Sequence, residues 1–306
     1  MRAFAFGVVS AFLWSACASA AAMSEDRDRC LANDPDVSLA GCAAVLQTPS
    51  ATRGQRIEAY LATGVAYLRK GDFDRALIDL DQAISLEPGL AQAYYVRGAV
   101  YIMRRSYDKA IADFDHLIAL NPADGVAYYN RGTARIGVGA YDGAIQDFDR
   151  AVAINPRDVE SISNRGAAFA LQGNFERALD NYDQVLQIDP KNAPTLANRC
   201  LAGAVLGRLD QALSDCNAAL SLQPEEVSTL TSRALTYLKL RNPGAAVADY
   251  EAALLRAPKQ ASAVYGRGLA RLMSGDRSGG DADIRAAMAI DPTVEKRFEG
   301  YGIKAN

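Results

Sequence analysis

AQAYYVRGAVYIMRRSYDKAIADFDHLIALNPAD, residues 91–124, is one period of a repeating sequence. Gly98 opens a column of small residues, Ala110 follows twelve positions on, Phe114 four after that and Leu117 three further. Small residues at one offset and bulky ones a helical turn away describe two helices in close antiparallel contact. Pro122 then ends the second helix, because proline lacks the N–H and clashes with the preceding turn.

Shifting the frame by 34 residues reproduces the pattern from end to end. Prolines stand at 88, 122, 156, 190, 224, 258 and 292. The small column reads Gly64, Gly98, Gly132, Gly166, Cys200, Ala234 and Gly268. The alanine column runs Ala76, Ala110, Ala144, Ala178, Ala212, Ala246 and then Gly280. The bulky column is Leu80, Phe114, Phe148, Tyr182, Cys216, Tyr250 and Ile284. Turn signals such as Lys70-Gly71-Asp72 and Gln172-Gly173-Asn174 separate the paired helices. A period of this length marks a helix–turn–helix unit that buries its core only by stacking on its neighbours.

The columns resemble the tetratricopeptide repeat (TPR) in the order of aromatic, small, alanine and proline positions. The resemblance implies an all-α, right-handed superhelical solenoid of seven antiparallel helix pairs, at 57–90, 91–124, 125–158, 159–192, 193–226, 227–260 and 261–294. The last copy diverges most, with Gly279 and Gly280 in its second helix. Residues 21–56 are expected to form a cysteine-containing N-terminal cap, a partial helical hairpin. Residues 295–306 form the C-terminal cap and tail, with a short helix over Val294–Tyr301 closing the end of the stack.

Residues 1–20 read as a secretory signal peptide: Arg2, an apolar stretch Ala3–Ala16, and the small-x-small site Ala18-Ser19-Ala20. Fourteen apolar residues are short for a membrane span. No other apolar run is long enough to cross a bilayer, so the mature chain is expected to be soluble, and periplasmic or secreted. Leu13-Trp14-Ser15-Ala16-Cys17 weakly resembles a lipobox, which leaves a lipid-anchored outer-membrane assembly factor as the alternative. The other four cysteines suit an oxidising compartment. Cys30 and Cys42 are expected to close a short loop in the cap. Cys200 and Cys216 replace the small and bulky partners of copy five, which favours a second bridge over two buried thiols.

The whole chain has a net charge of −3 and no basic cluster, which argues against nucleic acid as a partner. His116 is the single histidine and reads as a solvated helix residue. Neither a zinc-ligand spacing, a phosphate loop nor a nucleophile elbow is present. No catalytic residue, cofactor or metal is expected, and the weaker alternative is a regulatory subunit of an enzyme complex. Arg97, Arg131, Arg165, Arg199, Arg233 and Arg267 share one offset, and Asp79, Asp113, Asp147, Asp215, Asp249 and Asp283 another. These columns are expected to pair within or between repeats instead of reading an anionic ligand.

First helices line the concave face in repeats of this kind. There the sequence places Asn130, Asn164 and Asn198 in three consecutive copies, with Tyr95 and Tyr129 one position earlier in theirs. Ile102, Met103, Thr133, Ile136 and Leu171 lie further along the same faces. A carboxamide both donates to and accepts from a peptide backbone, and tyrosine adds apolar area with a polar tip. The expected partner is a protein or peptide held in this groove. Basic groove positions are thin, with Lys239 and Arg69 in distant copies, so a carboxylate clamp for chaperone tails is not expected. Self-association through exposed helix faces is allowed.

Overall fold

A computed structural model describes residues 23–303. The leader expected at 1–20, with Cys17, lies outside the described residues. All regular structure within them is helical. The chain forms two compact units, one ending at Ala140 and one beginning at Tyr141.

The first unit holds α1 (23–30), α2 (Pro35–Gln47), α3 (Arg53–Lys70), α4 (Phe73–Leu86), α5 (Ala91–Met103), α6 (Tyr107–Leu120) and α7 (Gly125–Gly137). The second holds α8 (Tyr141–Ile154), α9 (Val159–Leu171), α10 (Phe175–Ile188), α11 (Ala193–Leu206), α12 (Leu209–Leu222), α13 (Val227–Lys239), α14 (Pro243–Arg256), α15 (Ala261–Met273), α16 (Arg277–Ile290) and α17 (Val294–Gly300). Among the described residues no helix is long and apolar enough to cross a membrane.

Each hairpin turn is built by two adjacent residues. The first adopts the left-handed region and stops the helix: Gly71 at φ 74°, Gly173 at 81°, Gly207 at 80° and Gly275 at 90°. Its N–H and the next one return to carbonyls of the last helical turn, as in Gly71 N to Leu68 O and Asp72 N to Tyr67 O. In copies one, four, six and seven the second residue also starts the following helix with its side chain. Asp72 accepts from Arg75 N (3.2 Å), Asn174 from Arg177 N (3.3 Å) and Asp276 from Gly279 N (2.9 Å). Arg105 and Arg241 occupy the left-handed offset at φ 57° and 59°, where a Cβ is unfavourable.

The small and bulky columns meet across the hairpins of copies one, two, four and seven. A Cβ on Gly98 would stand 2.7 Å from Phe114 Cζ, and one on Gly64 or Gly166 would be equally close to Leu80 or Tyr182. Leu80, Phe114 and Tyr182 are in turn buried. In copy five the same two columns hold a covalent contact: Cys200 and Cys216 lie at an S–S distance of 2.04 Å and a Cα–Cα distance of 5.4 Å. Cys30 and Cys42 bond likewise between α1 and α2, at S–S 2.01 Å and Cα–Cα 4.4 Å. With Val45 and Ala59 they make the small core of the cap, whose own apolar content is low.

The C-terminal segment does more than close the end. Tyr94, Tyr128, Ile162, Leu196, Leu230 and Val264 share a buried column at the repeat period, and Phe298 is its next member. Helix α17 is therefore a truncated first helix of an eighth copy. It stops at Gly300, the backbone turns left-handed at Gly302 (φ 78°), and Tyr301 and Ile303 pack into the core cluster of copies five to seven.

Candidate functional site

Position six of the first helices carries Asn130 on α7 and, in the second unit, Asn164 on α9, Asn198 on α11, Ser232 on α13 and Gly266 on α15. The asparagines are not equivalent. Asn198 is exposed, and its carboxamide makes no hydrogen bond to another described residue. Asn130 Nδ2 donates to Val126 O of its own helix at 2.9 Å, leaving Oδ1 to offer. Asn164 already has an intramolecular partner. The three asparagines occupy one register position, but only Asn198 presents a wholly free amide.

The tyrosines and apolar residues also divide. Tyr95 is half-buried with its ring 6.4 Å from that of Phe114. Its hydroxyl donates to Asp124, the N-cap of α7. Burial, followed by that carboxylate, pushes the phenol well above its ordinary pKa. Its polar tip thus ties α5 to α7 and is not offered to a ligand. Tyr129 is half-buried and already has a partner, and Thr133 Oγ1 donates to Tyr129 O at 3.0 Å. Ile102 packs on the core of copies two and three, and Ile136 is half-buried. Met103 and Leu171, at 59% and 53% exposed, are the apolar side chains offered outward.

The basic positions of this face are occupied. Lys239 Nζ donates to Ala204 O and Val205 O, each at 2.8 Å, at the C-terminal end of α11, and burial lowers its pKa. Arg69 Nη1 donates to Asn33 O in the cap at 2.8 Å. Both cations are engaged by helix-end or loop carbonyls.

The arginine column is structural and uses two acidic columns. Arg97 makes a forked pair with Asp113 of its own hairpin (Nε to Oδ2 3.0 Å, Nη2 to Oδ1 2.6 Å) and reaches Asp81 of the preceding one at 2.6 Å. Arg199 does the same with Asp215 and Asp183. Arg165 bonds Asn181 and Asp149, and Arg233 bonds Asp249 and Asn217. Each of these guanidiniums joins two successive second helices. Arg131 pairs with Asp115. His116 departs from the expected solvated residue: its ring stacks on Tyr94 at 4.1 Å, and Nε2 lies 3.2 Å from Pro88 O. A carbonyl only accepts, so Nε2 carries the proton.

Two cavities open on the first-helix face. In the first unit about 320 Å³ lies between cap and α3, walled by Leu31, Pro35, Leu61 and Val65 with Arg69 at its rim. In the second unit about 190 Å³ lies beneath the C-terminal segment, bounded by Leu201, Thr231, Leu235, Tyr250, Phe298 and Tyr301.

Family models for the tetratricopeptide repeat match residues 61–125, 126–158, 159–192 and 231–278. The chain belongs to the TPR family. No curated protein matched it. Among solved structures, a TPR protein from Parabacteroides merdae is similar over 81% of this chain and 100% of its own, with TM-score 0.66 and 18% identity. The APC/C hetero-tetramer Cut9-Hcn1 is similar over 90% of this chain and 52% of that one, with TM-score 0.67 and 17% identity. PilW, a type IV pilus biogenesis factor, is similar over 66% and 94%, with TM-score 0.60 and 21% identity. At such identities these likenesses speak to the fold.

Within this TPR frame, sequence reasoning missed the second acidic column, Asp81, Asp115, Asp149 and Asp183. The signal was present as an aspartate two residues after Asp79, Asp113, Asp147 and Asn181. It also missed that Gly266 takes the asparagine position in copy seven, where the tail covers the face.

Proposed function

We propose that this chain is a non-enzymatic scaffold that holds a segment of a protein partner along the face lined by its first helices. The observation that carries the reading is the C-terminal segment itself. Residues 294–303 pack into the core cluster of copies five to seven, with Val294 and Phe298 buried and the Phe298 ring 4.9 Å from that of Tyr265 on the first helix of copy seven. A surface that buries one aromatic-bearing segment has the chemistry to hold another. Upstream on the same unit, Asn198 and Leu171 offer a free amide and an apolar side chain to an extended backbone.

Two disulfides and the apolar leader support a location in the bacterial cell envelope, since both suit an exported chain. The engaged lysine and arginine positions disfavour a clamp for a terminal carboxylate, and the mild negative charge disfavours nucleic acid. The test is a pull-down from envelope extract with residues 21–306, beside the triple variant Asn130/Asn164/Asn198→Ala, both checked by circular dichroism. A partner retained by the parent and lost by the folded variant is expected. Equal recovery by both would move the site off this face.

A further inference from the structure

The C-terminal segment is a poor fit for a permanent cap. Helix α17 has seven residues, too few to persist without tertiary support. Its hold consists of Val294, Phe298, Tyr301 and Ile303, with Phe298 and Tyr301 rings 5.9 Å apart. Beside it a half-open cavity of about 190 Å³ is lined by Phe298 and Tyr301 on one side and by Leu201 and Thr231 on the other.

One residue that lines the cavity carries a buried, unanswered polar group. Tyr250 is buried at 1% exposure, and its hydroxyl has no hydrogen-bond partner. Leaving a buried hydroxyl unpaired is costly. The tyrosine reaches the first-helix face from α14 because residue 266 is glycine: a Cβ there would overlap Tyr250 Cζ and Oη. Gly266 stands in the column that holds asparagine or serine in copies three to six. The glycine thus lets the Tyr250 phenol reach the first-helix side, where its hydroxyl is sealed from solvent and left unpaired.

We infer that residues 294–303 are a displaceable internal ligand, and that the face beneath them takes an amphipathic helical segment of a partner protein. That segment would place an aromatic side chain where Phe298 sits and a second one a turn later, and would bring a hydrogen-bond acceptor to Tyr250 Oη. This rests on the scaffold reading above and specifies its ligand. The spacing is copied from the present occupant, Phe298 and Tyr301, which are three positions apart and share a helix face. The acceptor and the extra volume are what the cavity adds to that template. While the tail is closed, apparent affinity for any competitor is reduced by the fraction of chains that are open.

A fluorescent peptide spanning residues 290–306 is the probe, titrated by anisotropy against residues 21–306 and against the same chain carrying Phe298→Ala. Release of the tail is expected to tighten peptide binding by about tenfold or more. Equal affinity for the two chains, or no binding to a folded Phe298→Ala chain, overturns the inference. Should that variant fail to fold, amide exchange on the unaltered chain decides. Amides of 297–303 exchanging about 100-fold faster than those of α15 support a latch that opens locally, and equal protection refutes it. A concentration-dependent dimer that exchanges tails would make the occupant a second copy and overturn the choice of a foreign partner. The asparagine triple variant reads a different stretch of the face, so failure of the latch leaves the scaffold reading to its own test.

Discussion

Replacing Arg97 by methionine should destabilise the first unit in a pH-dependent way. Asp113 is 4% exposed, and both of its carboxylate oxygens accept from Arg97. Removing the guanidinium leaves a buried carboxylate without a partner, a loss of about 3–5 kcal/mol when one member of a buried pair is deleted. The lost contact to Asp81 adds little, about 0–1 kcal/mol, because that carboxylate is half exposed. Burial already raises the pKa of Asp113 with the arginine present, and Arg97 opposes it. Without Arg97 the folded-state value rises further above the unfolded one. The sign follows: a carboxyl that binds protons more tightly when folded loses stability as pH rises through its folded pKa. The penalty is therefore greatest at neutral pH and shrinks as the carboxyl protonates in acid. Urea unfolding of parent and variant, followed at several pH values with amide exchange in α5 and α6, measures it. The double variant Arg97→Met/Asp113→Leu should recover most of the loss, since a packed apolar pair replaces a buried ionic one at little cost. A loss under about 1 kcal/mol, or one that does not change with pH, would refute the assignment of the arginine column as a buried structural pairing.

Other consequences are more local. Arg105→Gly and Arg241→Gly should each raise the melting temperature, because they relieve a left-handed residue worth about 1 kcal/mol, and calorimetry reads the shift. Gly98→Ala should cost about 1–3 kcal/mol, because its methyl meets the Phe114 ring, and the second change Phe114→Leu should restore part of it in urea titrations. Reducing Cys200–Cys216, separated by 16 residues, should lower the stability of the second unit by about 3 kcal/mol in the chain-entropy model. Melts with and without reductant test this, with intact mass reporting the state of each bridge, and the Cys200→Ala/Cys216→Ala variant should melt like the reduced chain.

Most of the helical scaffold was readable because its determinants are local and periodic. Proline ends, Gly-Asp and Gly-Asn turns and the glycine–bulky columns each act within about one hairpin, so a fixed offset exposes them. Even copy five yielded, because Cys200 and Cys216 depart together from columns that otherwise obey a rule. The site was less readable because it depends on what each polar tip meets across copies. Asparagine at one offset reads as a ladder, yet Asn130 turns back to Val126 O and Tyr95 spends its hydroxyl on Asp124. Sequence spacing places a residue on a face but does not say whether a neighbouring hairpin has taken its hydrogen bond. The tail illustrates the same limit. Phe298 continues a buried column at the correct interval, but that Tyr301 and Ile303 pack back into the core of copies five to seven is written in no offset.

The bridge inside copy five also changes how the molecule would behave under tension. An unlinked hairpin pulled from its ends pays out its whole length, whereas one closed between residues 200 and 216 withholds about 50 Å of extended chain. Stretching single molecules before and after reduction would read that difference directly, making the second unit a mechanical ruler of the redox state around it.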